Sequence, residues 1–372
     1  MVTPQEISFA LACGNIENKD KIVDPQAQLE KIKNLYKKLN YPNLGESKDA
    51  NIDKIEAKSI MTLDKNKHHY IHVKSEESKT IRVAIGNARL YENDFKMALT
   101  GKANRSYERY NQLSSLIKTA IKEKVELLVL PENYLPWEWV PDIARLCANN
   151  QMAIITGIEH IVSPRDEDGS RGVYNLTAVI LPYREDEYNF AHVVYHQKVH
   201  YSPEEKRMIE GYRFITMPGD GYQLFHWKDL WFSVYCCYEL ASIHERALFQ
   251  SFADLTVAVE WNKDINYFSS IIESMCRDLH CYCIQANSSE YGDSRVMAPT
   301  KSETRDIIKT KGGKNSTILV DEIDICALRD FQYKEYELQR QDGRFKPTPP
   351  NFETSIIEHK QNKTLLNYLR NL

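Results

Sequence analysis

From Ile81 onward the apolar positions follow two alternating periods. Ile81–Ala88 (IRVAIGNA), Leu127–Leu130, Met152–Ile158, Tyr174–Leu181 and His192–Gln197 are short runs of strand type, as are Tyr222–Trp227, Leu230–Cys236, Leu255–Val259 and Cys281–Ala286. Val296–Ala298 and Thr317–Val320 close the series. Between these runs the spacing lengthens to a helical period. Ser106–Lys124 carries Leu113, Leu116, Ile117, Ala120 and Ile121 on one face. Trp137–Asn150, Leu240–Ser251 and Ile265–His280 are read as further helices. Strands outnumber helices, and the helices come in two clusters. That pattern predicts α/β architecture with two sheets and helices on their outer faces, rather than one doubly wound sheet.

The ends differ from this body. Residues 1–79 are polar and lysine-rich and read as an N-terminal extension, with one helix and a short strand. Asp24 is its N-cap, Pro25 takes the first helical position, and Leu29, Ile32, Tyr36 and Leu39 share a face. His69–Val73 reads as a strand that could form a hairpin with Ile81–Leu90 across SEESK. The body spans 80–335. Residues 336–372 form a C-terminal arm with Pro347, Pro349 and Pro350, then a helical pattern through Leu365, Leu366 and Leu369. Such an arm either packs on a neighbour or is a flexible end.

Composition narrows the classes. The 372 residues are 42% hydrophobic, enough for a sizeable core, and the net charge of -4 gives no indication of a nucleic-acid surface. No apolar run approaches the roughly 20 residues of a membrane span, and no basic segment precedes an apolar signal region at the N-terminus. Eight cysteines at irregular spacing, two of them adjacent, suggest a reducing compartment, so a cytoplasmic protein is expected. His68, His69 and His72 lie close together but lack a Cys or carboxylate partner at ligand spacing, so no metal site is read there.

Three strand ends carry the candidate chemistry. Glu132 closes ELLVLPE, Lys198 follows VVYHQ, and Cys237 follows the buried run WFSVYC before a turn into a helical pattern. A carboxylate, an ammonium and a thiol at one sheet rim would supply base, electrostatic stabiliser and nucleophile. Helix amides following Cys237 are expected to lower its pKa. Cys236 is the rival nucleophile, and both could instead be core cysteines.

In their order along the chain, LLVLPE, HQKVHY and SVYCCYE resemble the three motifs of the nitrilase, or carbon–nitrogen hydrolase, superfamily. IRVAIGNA and VDEIDICALRD resemble its first and closing strands, so the likeness covers roughly 81 to 330. The resemblance implies a four-layer α-β-β-α sandwich over 80–335, paired into a homodimer or higher oligomer. It implies a Glu132–Lys198–Cys237 triad with Glu205 as a second glutamate, chosen over the adjacent Glu204 on spacing. Burial and Glu205 are then expected to raise the Glu132 pKa. The implied activity is thiol-dependent hydrolysis of a small amide, nitrile or carbamoyl compound through a thioester on Cys237, with no metal or organic cofactor. Tyr238 would bind the oxyanion through its amide, and Trp261 and Tyr134 would line the substrate pocket, with Trp137 and Trp139 extending an aromatic wall. Tyr174 and Asn175 resemble a structural pair at the start of a core strand. The same resemblance admits two other roles: an acyltransferase, or an assembly module of a larger machine such as a bacterial reverse-transcriptase-related defence protein. Two departures from the family pattern stand out, the first of which bears on specificity. LASIHER after the nucleophile lacks the family's proline, and Tyr201 stands where a leucine is usual.

Overall fold

Strand parity decides which side chains meet between the sheets. A computed structural model describes residues 60–65, 68–165 and 169–371; the expected helix beginning at Pro25 lies outside them. In chain order the strands and helices are β1 (Ile60–Lys65), β2 (His68–Val73), β3 (Thr80–Asn87), α1 (Glu92–Leu99), α2 (Tyr107–Lys122), β4 (Leu127–Val129), α3 (Val140–Asn150), β5 (Ala153–Gly157), β6 (Ile161–Val162), β7 (Gly172–Tyr174), β8 (Leu176–Glu185) and β9 (Tyr188–Gln197). They continue with α4 (Pro203–Gly211), β10 (Ile215–Thr216), β11 (Tyr222–Trp227), β12 (Leu230–Cys236), α5 (Ile243–Ala247), β13 (Leu255–Glu260), α6 (Ile265–Asp278), β14 (Tyr282–Asn287), β15 (Ser294–Met297), β16 (Asp306–Thr310) and β17 (Thr317–Asp324). Helices α7 (Ile325–Gln332), α8 (Tyr336–Asp342), α9 (Thr354–Gln361) and α10 (Leu365–Asn371) close the chain.

Two main sheets form, ordered β1-β2-β11-β12-β13-β14-β15-β16 and β17-β3-β4-β5-β8-β9. Phe232, Val234 and Cys236 of β12 join the cluster between the sheets, together with Leu127 and Val129 of β4. The alternate residues turn outward. Leu128 packs with Leu113, Leu116 and Ile117 of α2, and with Ile143 and Cys147 of α3. Trp231 and Tyr235 pack with Phe268, Ile272 and Met275 of α6. Each central strand is therefore buried on both faces, which accounts for its continuous apolar run. The layers are α-β-β-α, as the resemblance implies.

Two expectations at the ends change. Strand β2 forms no hairpin with β3; it pairs parallel with β11, with Ile71 opposite Phe225, and extends the larger sheet. The C-terminal segment packs on its own chain. Ile356, Leu365 and Leu369 join the outer cluster around α6, and Lys360 is 1% exposed with Nζ 2.9 Å from Asp254 Oδ1. No helix among the described residues is long and apolar enough to cross a membrane.

Candidate active site

Strand β4 runs parallel to β3 and β5 in one sheet, and β9, antiparallel to β8, runs in the same direction; β12 runs parallel to β13 in the other sheet. Glu132 follows β4, Lys198 follows β9, and Cys237 follows β12. All three line one cavity of about 380 Å3, with Glu205, Tyr238 and Trp261.

The charged groups form a closed cluster. Lys198 Nζ lies 2.8 Å from Glu132 Oε1 and 2.7 Å from Glu205 Oε2. Burial opposes its ammonium, but Glu132 and Glu205 outweigh burial and hold the pKa well above the ordinary lysine value. Burial would likewise raise the Glu205 carboxyl; Lys198 and His160 instead hold it well below the usual range. Glu204, its neighbour in sequence, is exposed on the cavity rim.

Two partners in this cluster were not read as functional from the sequence. Asn175 donates from Nδ2 to Glu132 Oε1 and Glu205 Oε1, each at 2.8 Å, and so spans both carboxylates. His160 donates from Nε2 to Glu205 Oε1 at 2.9 Å. The likeness of Tyr174–Asn175 to a strand-starting pair marks both as structural, yet the Asn175 amide side chain binds the cluster. His160 follows β5 with no motif around it.

The two adjacent cysteines part company because Cys237 leaves the strand. Its φ of 47° lies in the left-handed region, which turns the side chain away from the direction strand alternation would give. Cys236 keeps that alternation, is fully buried between the sheets, and donates from Sγ to Glu132 Oε1 at 3.2 Å. A short 3-10 turn, Cys237–Ala241, follows in place of the expected longer helix. The expected lowering of the thiol pKa is reversed. Burial and the Glu132 charge push Cys237 well above its ordinary value, and Lys198 and the Trp261 N–H offset this only in part. That same N–H donates to Glu132 Oε2 at 3.1 Å, placing one backbone donor between carboxylate and thiol.

Glu239 fixes the turn from beneath. Its carboxylate is fully buried and accepts from Cys236 N–H and Val199 N–H, each at 2.6 Å, and from His196 Nε2 at 2.9 Å. Burial would lower the His196 pKa, but the Glu239 charge and its hydrogen bond raise it above the ordinary histidine value. This pair ties the strand that delivers Lys198 to the turn that presents Cys237. The LASIHER departure has a local role as well: Glu245 accepts from His200 Nε2 at 3.0 Å and, through its backbone carbonyl, from Tyr235 Oη at 2.9 Å.

Close backbone approach at Gly157 positions Glu132. A Cβ there would lie 2.4 Å from both Glu132 Cα and Asn133 N. Gly157→Ala must therefore displace the Glu132 loop. The expected result is a loss of about 1–3 kcal/mol in urea unfolding, the usual range for overpacking, with loss of any Glu132-dependent reaction.

The expected aromatic wall is not formed by Tyr134. That residue is fully buried outside the cavity, with its ring 4.5 Å from the Arg109 guanidinium and its hydroxyl 3.0 Å from Gln112 Oε1. Trp137 is 53% exposed, and Trp139 packs against the helical layer. The apolar wall comes from Phe95, Met208, Trp261 and Phe268, with the Phe95 and Trp261 rings stacked at 5.8 Å. Helix α1, which brings Phe95, had no counterpart in the sequence reading. Tyr201 is structural: its hydroxyl accepts from Asn175 N–H at 2.9 Å and lies 3.0 Å from Val173 O.

Fold and cavity define a layered α/β protein with a thiol, an ammonium and two carboxylates at one sheet rim. Among solved structures the chain is similar to nitrilase-superfamily amidases and to Nit3. One is an amidase from Nesterenkonia sp. AN1, in a mutant form showing covalent addition of the acetamide moiety of fluoroacetamide at its active-site cysteine. The two share 16% identity, over 70% of this chain and 96% of that one, with a TM-score of 0.46. Another is a mutant of the same amidase in complex with butyramide (16%, 70% and 96%, TM-score 0.45). A third is Saccharomyces cerevisiae Nit3, a member of branch 10 of the nitrilase superfamily (17%, 70% and 96%, TM-score 0.48). No family model and no curated protein matches the sequence.

Proposed function

We infer that the chain is a thiol-dependent carbon–nitrogen hydrolase of the nitrilase type, acting on a small non-peptide amide, nitrile or carbamoyl compound. The observation that carries this reading is the opening of the buried Glu132–Lys198–Glu205 cluster onto the cavity that holds Cys237. The cavity volume suits a small molecule.

In this reading the resting nucleophile is a thiol, in keeping with its raised pKa. Cys237 Sγ attacks the amide carbon as Glu132 takes the thiol proton. The Lys198 ammonium and the Tyr238 N–H hold the oxyanion. Carbon–nitrogen cleavage follows, with the leaving nitrogen collecting the proton from Glu132, and a thioester remains. Glu132 then removes a proton from water as its oxygen attacks the thioester; the carbon–sulfur bond breaks and Cys237 recovers its proton. Glu205, Asn175 and His160 hold Lys198 and Glu132 in place.

The test is ammonia release from acetamide, butyramide and propionitrile. Wild type is expected to turn over at least one of them. Glu132→Gln is expected to lose about 10²–10⁴-fold, the usual contribution of a general base. Turnover that survives Cys237→Ala would overturn the reading.

A further inference from the structure

One buried acid beside this site has no part in the chemistry above. Glu260 ends β13, immediately before Trp261, whose N–H serves Glu132. Its side chain is fully buried. Oε2 accepts from Gln285 Nε2 at 3.0 Å, and Oε1 has no hydrogen-bond partner. Among the described residues no Lys, Arg or His forms an ion pair with it.

The surrounding charges give it no cation. Glu132 and Asp293 contribute further carboxylates to its surroundings, and β12 and β13 run side by side with Cys236 opposite Val259, so that Cys237 and Glu260 take the next positions on neighbouring strand ends. Gln285 on β14 and Asn262 in the loop after β13 contribute neutral amides. Arg295, opposite Gln285 on β15, is held by Asp293 at 2.7 Å and by Glu273 of α6 at 2.8 Å. A carboxylate at position 260 would thus be a buried anion facing two others.

We propose that Glu260, buried on the strand end beside Cys237 without an ion-pair partner among the described residues, is a positioning residue that gates the site by charge: in its neutral form it permits thiolate formation at Cys237, and in its ionised form it opposes it. This inference rests on the reading of Cys237 as nucleophile. Burial pushes the Glu260 carboxyl up to about 8, with Glu132 and Asp293 adding to the rise and Gln285 and Asn262 opposing it. Below that value the field at Cys237 comes from Glu132 and Lys198. Above it, a further negative charge raises the thiol and disfavours an anionic transition state.

The experiment is alkylation of Cys237 by iodoacetamide from pH 6.5 to 9, followed by intact mass in wild type and Glu260→Gln. The rate ratio of variant to wild type is expected to rise about tenfold across that range, one pKa unit at the thiol. A ratio flat with pH overturns this inference alone. Absence of Cys237 alkylation at every pH overturns the reading of the nucleophile, and this inference with it.

Thermal unfolding gives a second readout. The folded-state value of about 8 lies above the ordinary 4.5, so the folded state holds this proton the more tightly. Stability is therefore lost as pH rises through that window. Glu260→Gln cannot lose it, and its Tm is expected to exceed that of wild type by a margin that widens from pH 5 to pH 8. A constant or shrinking margin contradicts the neutral-acid assignment.

Discussion

Brief treatment with iodoacetamide at neutral pH is expected to place its first adduct on Cys237. Cys237→Ala should abolish that adduct, and Cys236→Ala should leave it in place. The argument is one of access. Cys237 lines the cavity, whereas Cys236, Cys147, Cys276, Cys281 and Cys283 are fully buried. Among the described residues, the half-buried Cys326 supplies the slow competing signal. Because the Cys237 thiol sits well above its ordinary pKa, little thiolate stands ready at neutral pH. Under the proposed mechanism its reaction then depends on a reagent that enters the cavity and on Glu132 accepting the proton. Saturation with iodoacetamide concentration should follow, with a slowing of about 10²-fold or more in Glu132→Gln. Intact-mass kinetics on the four proteins decide the matter. A first adduct on Cys236 or Cys326 would remove Cys237 from the nucleophile role.

The largest effect on stability is expected from Lys198→Met. This change leaves the Glu132 and Glu205 carboxylates buried around Asn175 with no cation between them. Breaking a buried ion pair from one side costs about 3–5 kcal/mol, since the remaining charge is uncompensated. Loss of the proposed oxyanion partner should lower turnover by a further 10²–10³-fold, roughly. The pH dependence carries the sign. Glu205 titrates well below 4.5 in the folded protein, so its pairing contributes stability above 4.5 that is lost as pH falls toward the folded value. The gap between wild type and Lys198→Met in urea unfolding should therefore be widest near neutrality and narrow toward pH 4. An equal gap at both pH values would mean that lost packing, rather than unpaired charge, dominates.

Much of the layered fold is legible along the chain, because a strand covered on both faces must be apolar at successive positions. Leu127–Val129 and Trp231–Cys236 announce themselves in this way. The strand-end positions of Glu132, Lys198 and Cys237 are equally plain, since each polar residue interrupts or follows such a run. Which partners reach those side chains is not. Asn175 and His160 approach from elements far away in sequence, and nothing local distinguishes them from structural polar residues. Tyr134 stands two residues from Glu132 yet turns into the helical layer, because the backbone reverses at Asn133, whose φ is 54°.

The sequence by itself determined the layers, the faces of the central strands and the rim at which the thiol, ammonium and carboxylate stand. Those features follow from local periodicity and burial. Only the tertiary structure decided that Cys237 faces the cavity while Cys236 faces the core, that Gly157 lets the Glu132 loop pass, and that Glu260 lies unpaired behind the site. These depend on a left-handed residue, a close backbone approach and the lack, among the described residues, of an ion-pair partner for Glu260, which arise only when distant strands are stacked.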